Sequence, residues 1–257
     1  MISWLLACPG NQFFYFGGSM IEIQNLNKNF GNKIAVKELN LKLLDGEVFG
    51  LLGPNGAGKS TTIKMITGIL KPTSGDALIQ GHSIINDSLE AKRHFAFVSD
   101  TPDMFLGMTG MEYLVFIASV FHVQKEEFSK RVEELSQEFN MKNSLNDMII
   151  DYSHGMRQKI FIIASLLHSP DNWILDEPLT GLDPDAAFKV KKIMREMAKN
   201  GKTILFSTHV LDVAEKICDR IGIISEGVLR FAGSLDELRE KEKINGDLED
   251  LFLNLTK

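Results

Sequence analysis

A glycine-rich loop between an apolar segment and a helical segment is the feature that most restricts the fold of this 257-residue chain. The loop GPNGAGKS, residues 53–60, satisfies the pattern G-x-x-x-x-G-K-[ST]. It follows the apolar run EVFGLLG and precedes TIKMITGIL, in which Ile63, Ile66 and Leu70 recur at helical spacing. Glycines let the backbone amides converge on phosphate oxygens at the positive end of the helix. The loop therefore predicts a phosphate-binding turn between a buried strand and a helix.

Two side chains of this loop have predicted roles in binding a nucleoside triphosphate. Lys59 places a positive charge near the β- and γ-phosphates, and the Ser60 hydroxyl is an oxygen ligand for Mg²⁺. Because kinases, GTPases and motor proteins share such loops, the loop alone predicts only a nucleoside triphosphate site. The candidate phosphate-binding residues are Gly53, Pro54, Asn55, Gly56, Ala57, Gly58, Lys59, Ser60 and Thr61.

A pair of acidic residues ends a second apolar segment. In WILDEP, residues 173–178, three apolar residues lead into Asp176 and Glu177. Successive residues of a strand face opposite ways, so the two carboxylates can have different roles. We predict that Asp176 holds Mg²⁺ through water and that Glu177 acts as the general base that activates the attacking water.

The rest of the pattern predicts an α/β fold with a P-loop NTPase core and a mixed sheet. MIEIQNLNKNF and ELNLKLL alternate apolar and polar residues, which favours an N-terminal antiparallel β subdomain. NWILDEP, KTILFSTH and RIGIISEG are short apolar strands, and helical stretches follow the first two. We place the main domain at residues 20–233, with a helical insertion at about residues 100–168. Residues 234–257 are predicted to form a tail of two short polar helices.

The first nineteen residues differ from the rest because they contain no charged side chain. We regard residues 1–19 as an atypical extension. Gly17 and Gly18 directly precede Met20, and a ribosome-binding GGAGG sequence would encode two glycines if it were translated. One hypothesis is therefore that Met20 is the native start.

Composition argues against several classes of function. A net charge of −6 and a pI near 5.6 provide no basic surface for nucleic acid. Two cysteines imply no disulfide framework, and the six histidines lack ligand-like spacing along the chain. The sequence has no run of eighteen apolar residues of the kind that spans a bilayer.

The phosphate loop, YSHGMRQK at residues 152–159 and ILDEP, in this order, resemble the motifs of ABC transporter ATP-binding subunits. The resemblance covers about residues 20–233. It implies an ATPase that requires ATP and Mg²⁺, in which two such domains close head to tail. The signature segment of one domain then contacts the γ-phosphate held by the other, so Ser153, His154 and Gly155 are candidate nucleotide contacts. His154 replaces the first of two usual glycines, and we expect its amide to serve while the imidazole points outward.

The resemblance assigns roles to four further residues. Phe30 resembles the aromatic that stacks on adenine, although it can equally be a packing residue, and His209 resembles the switch histidine that senses the γ-phosphate. Leu182 and Asp183 resemble the loop that links the two active sites, although Asp183 can also be a helix N-cap ahead of Pro184.

Asp100 stands where this family usually has glutamine, after the strand that precedes the helical insertion. A carboxylate is also an oxygen ligand for Mg²⁺, so Asp100 is a candidate metal ligand together with Ser60 and Asp176. Its negative charge would also repel phosphate. The presence of Asp100 in place of glutamine therefore bears on the rate of ATP hydrolysis and on the coupling of hydrolysis to transport.

The expected partner is a separately encoded membrane permease. Met104, Phe105, Leu106, Met108 and Met111 form an apolar stretch that suits an adaptable interface, although these residues can also fill the core of the insertion. The resemblance implies that a coupling helix of the permease docks here, as in ABC-2 type exporters. The chain would then work at the cytoplasmic face of the membrane, as a homodimer or as a heterodimer with a related ATPase.

Two other classes remain open at this point. A soluble ABC-type ATPase acting on DNA or ribosomes would need a basic surface, a coiled-coil arm or a second cassette, and the sequence indicates none of these. An unrelated P-loop kinase or GTPase would lack the signature segment and His209.

Overall fold

The fold contains two β-sheets. The structure, a computed structural model, describes residues 19–242 and 248–256. The first sheet is antiparallel, with strand order β2-β1-β4-β5. Its strands alternate buried and exposed residues, as a sheet with one solvated face does. The predicted N-terminal antiparallel sheet is confirmed. The four strands are β1 (Ser19–Phe30), β2 (Lys33–Leu44), β4 (Ser74–Ile79) and β5 (His82–Ser83).

The second sheet is mixed and forms the centre of the molecule. Its strand order is β10-β9-β3-β8-β7-β6, and all neighbouring pairs are parallel except β9 with β10. Every residue of β3, β7 and β8 is buried, which explains their nearly continuous apolar sequences. The strands are β3 (Val48–Leu52), β6 (Phe95–Val98), β7 (Asn172–Leu175), β8 (Thr203–Thr208), β9 (Arg220–Ser225) and β10 (Val228–Gly233).

Helices connect the parallel strands, as the alternating pattern predicted. The first follows the phosphate loop directly, and the sixth begins with the Asp183–Pro184 pair at its N-terminus. The helices are α1 (Lys59–Ile66), α2 (Ser88–Arg93), α3 (Gly110–Val120), α4 (Lys125–Glu138), α5 (His154–Leu166), α6 (Pro184–Lys199), α7 (Leu211–Ile217), α8 (Leu235–Glu242) and α9 (Leu248–Thr256).

The segment between β6 and β7 is helical and contains α3, α4 and α5, with two short 3₁₀ turns between α4 and α5 at Lys142–Ser144 and Ile149–Asp151. A capping box starts α3, because Thr109 Oγ1 accepts from the Glu112 amide and Glu112 accepts from the Thr109 amide. Tyr152, the first residue of the YSHGMRQK segment, is buried here. Its hydroxyl donates to the Ser144 carbonyl at 2.5 Å and lies against Gly110, where a side chain would overlap it.

The last two helices pack on the central sheet. Leu238, Leu248 and Leu251 are buried in a cluster with Ile221 and Ile223 of β9. The C-terminal segment therefore has an apolar face in addition to the polar one expected from its sequence. Of the predicted extension at residues 1–19, residues 1–18 lie outside the described residues and Ser19 begins β1, and the domain boundaries remain predictions.

The topology places the polar residues that follow the parallel strands at one edge of the sheet. The carboxyl ends of β3, β6, β7 and β8 meet there because these strands run in the same direction. The phosphate loop follows β3, Asp100 follows β6, Asp176 and Glu177 follow β7, and His209 follows β8.

Candidate nucleotide site

The glycine-rich loop wraps closely against neighbouring backbone. A side chain at Gly53 would overlap the carbonyl of Ile224, and Gly58 has φ +111°, in the left-handed region that favours glycine. Lys59 is buried, and its Nζ donates to the carbonyl oxygens of Gly53 at 2.7 Å and Pro54 at 3.3 Å. The ammonium group is therefore held inside the loop whose amides face the phosphate position.

Asp176 is completely buried at the end of β7. Its Oδ1 accepts from the Ser207 hydroxyl at 2.5 Å, whereas its Oδ2 has no hydrogen-bond partner. Burial raises the pKa of this carboxyl, and the charge of Asp100 adds to the rise, while the hydrogen bond from Ser207 and the nearby Ser60 hydroxyl oppose it. A buried carboxylate oxygen without a partner costs free energy unless a cation or a hydrogen-bond donor binds it.

These oxygen atoms suit a Mg²⁺ ion. The Ser60 hydroxyl and the Asp100 carboxylate are both close enough to the Asp176 carboxyl to shift its pKa. Mg²⁺ prefers carboxylate, hydroxyl and water oxygens. Asp100 itself lies 3.9 Å from the ammonium of Lys64, which offsets part of its charge. The donor set therefore fits the predicted metal.

Glu177 lies between two basic groups. Its Oε1 is 3.6 Å from Lys59 Nζ, and its Oε2 is 3.0 Å from Nδ1 of His209. Its backbone has φ +47°, and its amide donates to the Ser207 hydroxyl at 2.9 Å. Ser207 thus binds both Asp176 and Glu177. No sequence pattern predicted this role, and Ser207 is recognisable in the sequence only by its position two residues before His209.

A cleft of about 580 Å³ extends from these residues to β1. Lys59, Ser60, Asp100 and Glu177 line its inner part, and Phe30 lies at its outer part with half of its surface exposed. The ammonium of Lys28 lies 5.1 Å from the centroid of this ring, and the stacking of Phe30 on a base stays a prediction. The other predicted loop residues on the lining are Asn55, Gly56, Gly58 and Thr61.

The signature residues occupy a different surface. Among the described residues that line the cleft, none comes from 153–155. Ser153 is the N-cap of α5, and its Oγ accepts from the Met156 amide at 3.3 Å. The His154 side chain is exposed, as expected, but its ring lies over Gly181, where a side chain would overlap it. The signature residues therefore lie apart from the cleft formed around the phosphate loop of their own chain.

Several contacts join α5 to the segment that follows Glu177. Gln158 donates to the Pro178 carbonyl at 3.4 Å, and Lys159 lies 2.6 Å from Asp183 Oδ2. Asp183 also accepts from the Ala186 amide, so it is the predicted N-cap of α6. The hydrogen bond from Lys159 lowers the pKa of Asp183. These contacts connect the signature surface to the segment that follows Glu177, and sequence patterns did not indicate Gln158 or Lys159.

The predicted partner surface is only partly exposed. Met104 and Phe105 are exposed, whereas Leu106 and Met111 pack against the core. Phe105 stacks on Tyr113 with 5.0 Å between ring centroids. The first residues of this stretch therefore face solvent and its later ones pack against the insertion, and docking of a permease here stays a prediction.

Comparison with known proteins identifies the family. The family model described as ABC transporter matches residues 36–180, more than half of the chain. The chain belongs to the ABC transporter ATP-binding family. It is therefore an ABC ATPase, and the prediction of an ATP-binding subunit of a transporter is confirmed.

Two curated relatives illustrate the similarity of this ABC subunit to bacterial proteins. The ABC-type transporter ATP-binding protein EcsA of Bacillus subtilis (strain 168) is 35% identical over 240 residues, covering 93% of this chain and 97% of EcsA. The linearmycin resistance ATP-binding protein LnrL of the same organism is 34% identical over 219 residues, covering 85% of this chain and 70% of LnrL.

Two solved structures share the fold of the ABC subunit. An ATP-binding subunit of an ABC transporter matches with a TM-score of 0.89 at 32% identity, covering 93% of this chain and 100% of the other. A dimeric post-hydrolysis state of the ATP-binding cassette MJ0796, bound to ADP and Pi, matches with a TM-score of 0.76 at 25% identity, covering 84% and 99%. The predicted P-loop NTPase fold is confirmed. No described helix of this ABC subunit has the length and apolar character needed to cross a bilayer.

Proposed function

We propose that this ABC ATPase powers a separately encoded permease of an exporter by hydrolysing two MgATP between two head-to-tail cassettes. The observation that carries the proposal is the position of Glu177 between Lys59 and His209, beside the phosphate loop. A carboxylate beside the phosphate loop, with His209 to orient it, is suited to activating water for attack on phosphate.

Mg²⁺ would be held by Ser60 and Asp176, with Asp100 as an additional carboxylate. When bound, the ion would neutralise charge that develops on the β- and γ-phosphates. The unpartnered Oδ2 of Asp176 supports this assignment, because a buried carboxylate oxygen requires a positive or donating neighbour. Asp100 would supply a full negative charge where an amide is usual in this family, which strengthens attraction to the ion and weakens attraction to phosphate.

Nucleotide binding would redistribute the contacts of Lys59. Its ammonium group donates to two loop carbonyls and faces Glu177. Phosphate oxygens carry more negative charge than carbonyls, so Lys59 would turn to them and release Glu177 to accept a proton from water. His209 would keep the Glu177 carboxylate oriented while its exposed ring contacts the γ-phosphate.

A second cassette would complete each site. Ser153 and the amides at the start of α5 form an exposed helix N-terminus outside the cleft of their own chain. A helix N-terminus binds anions through its free amides, so the partner's γ-phosphate is a suitable ligand. The dimeric ADP-bound cassette among the similar structures supports this arrangement. The second cassette would be a copy of this chain or a related ATPase.

The permease would contact the exposed part of the apolar stretch near Asp100. Met104, Phe105, Phe116 and Ile150 are exposed there, and a polar partner would not cover them well. Arg157 of α5 connects this surface to the signature helix, since it lies 2.8 Å from Asp103 and donates to the Ile150 carbonyl. Movement of α5 on dimer closure would therefore reach the permease.

The proposal also covers the direction of transport, which is export, and the location of the chain, which is the cytoplasmic face of the membrane. LnrL carries linearmycin resistance in its name, and resistance to a toxic compound is commonly achieved by its removal from the cell. We place the chain at the cytoplasmic face of the membrane because ATP is supplied there. Its acidic charge supports the absence of a nucleic-acid partner.

Light scattering with the Glu177→Gln variant tests the proposal. This variant keeps the size of the side chain and removes the general base, so saturating MgATP should produce a stable dimer. The same experiment with Lys59→Ala in addition should give only monomer because phosphate is not bound. If Glu177→Gln stays monomeric with MgATP, alone and with its permease, the two-cassette mechanism is wrong.

A further inference from the structure

Outside the nucleotide cleft, three side chains bring metal-binding atoms close together. His82 lies on β5, Glu90 lies in α2, and His94 follows α2 directly. One donor atom from each lies within 4.8 Å of the other two. All three side chains are partly exposed, which gives an ion a path from solvent.

Each imidazole faces a carboxylate with its Nδ1 atom. Asp87 Oδ2 is 2.7 Å from Nδ1 of His82, and Asp171 Oδ2 is 3.6 Å from Nδ1 of His94. Histidines that bind metals usually donate their other ring N–H to a carboxylate, which selects the tautomer and orients the ring. With Nδ1 protonated on both rings, the two Nε2 atoms remain as metal donors.

Glu90 supplies the third donor. Its Oε1 is 3.7 Å from Nε2 of His94, while its Oε2 accepts from Arg93 at 2.9 Å. The rings of His82 and His94 lie parallel, with their centroids 5.4 Å apart. Two imidazole nitrogens, one carboxylate oxygen and a water form a donor set that suits zinc and similar ions, whereas Mg²⁺ prefers oxygen ligands alone.

We propose that His82, Glu90 and His94 bind one divalent transition-metal ion of the zinc class, with Asp87 and Asp171 as positioning carboxylates. Tetrahedral ligands at zinc are about 3.3 Å apart, given bond lengths near 2.0 Å. The donor separations therefore have to shorten by at most about 1.5 Å, which rotations of partly exposed side chains can supply.

The ion would join the two sheets. His82 belongs to the antiparallel sheet, whereas the carbonyl of His94 accepts from the amide and the side chain of Asn172, at the start of β7 in the central sheet. The site lies at the opposite end of β6 from Asp100, so it stabilises the junction of the sheets and takes no part in hydrolysis.

Titration of the full-length chain with Zn²⁺ alone, against a chelating dye, tests the proposal. We expect one tightly bound ion, with affinity reduced about 100-fold by His82→Ala or His94→Ala and about 10-fold by Asp87→Asn. Asp176→Asn, which alters the nucleotide site, should leave zinc affinity unchanged. The exposed histidine variant His122→Ala is the matched control and should also bind as the wild type does.

Thermal unfolding separates loss of the site from loss of the fold. Zn²⁺ at 100 times its dissociation constant should raise the Tm of the wild type by about 5 °C and leave that of His94→Ala unchanged. Without zinc, the variants should show wild-type circular dichroism. Equal zinc affinity in wild type and His82→Ala, or an equal rise in Tm in His94→Ala, would overturn the proposal and leave the two rings as a packing pair only.

Discussion

Nδ1 of His209 lies 3.0 Å from Oε2 of Glu177, although the two residues follow different strands of the central sheet. The contact exists because β7 and β8 are parallel neighbours, so their carboxyl ends emerge side by side. It gives the proposed general base a partner that can orient it and that has an exposed side chain.

Replacing His209 should therefore impair hydrolysis more than binding. In His209→Ala the Glu177 carboxylate loses its orienting contact, and we expect kcat to fall by about 100-fold or more. The Kd for MgATP should change less than about threefold, because the loop contacts are intact. Single-turnover hydrolysis and nucleotide titration measure the two quantities. A variant with weakened binding and normal kcat would contradict this role.

Replacing Asp100 should alter the response to Mg²⁺. Asp100→Gln removes a carboxylate beside Asp176, so the Mg²⁺ concentration for half-maximal ATPase activity should rise about 10-fold, which corresponds to about 1.4 kcal/mol. Affinity for ATP without Mg²⁺ should increase because a repulsive charge is lost.

The control for Asp100 is Asp103→Asn, which removes a nearby carboxylate that pairs with Arg157 instead. Its Mg²⁺ dependence should match the wild type. If Asp100→Gln also leaves the Mg²⁺ dependence unchanged, Asp100 is not a ligand.

Two variants of Ser153 separate its structural role from its proposed contact with the partner's nucleotide. Ser153→Ala removes the N-cap of α5, so the free energy of unfolding should fall by about 1 kcal/mol. Ser153→Asp keeps a capping oxygen, so its stability should match the wild type. Its negative charge would repel phosphate, and MgATP should then fail to dimerise it in the Glu177→Gln background. Retained dimerisation would contradict the proposed contact.

His168 should make stability depend on pH. Burial lowers the pKa of His168 to about 4, and the Arg131 charge contributes to the decrease. The unfolded chain, with a histidine pKa near 6.5, therefore binds the proton more readily, and stability is lost as the pH falls from about 6.5 to 4. From pH 7 to pH 5 this residue should cost about 2 kcal/mol of the free energy of unfolding.

Urea unfolding of wild type and His168→Phe at both pH values measures the effect. The phenylalanine keeps a ring beside Phe121, whose centroid lies 3.6 Å from that of His168, and it cannot titrate. Its stability should fall less between pH 7 and pH 5, whereas the exposed control His122→Ala should behave as the wild type. The same slope in all three proteins would exclude His168 as the cause.

Local patterns predicted much of the fold and of the candidate site. The sequence predicted the phosphate loop, the WILDEP carboxylates and the strands around them. Each of these features depends on interactions between residues that are neighbours in sequence. The partner of each group was harder to predict. Ser207 binds both Asp176 and Glu177, and Lys159 pairs with Asp183, but no short pattern connects these residues.

The histidines illustrate the same limit. Their spacing along the chain suggested no metal site, yet the fold brings His82 and His94 into a parallel stack beside Glu90.

The sequence by itself determined where the strand, loop and helix of the phosphate site begin, because periodicity and glycine conformations act over a few residues. Only the tertiary structure decided that Lys59, Glu177 and His209 meet and that Asp176 keeps an unpartnered oxygen. Those contacts join segments more than 30 residues apart, and their distances follow from the parallel order of the central strands and from burial against neighbouring elements.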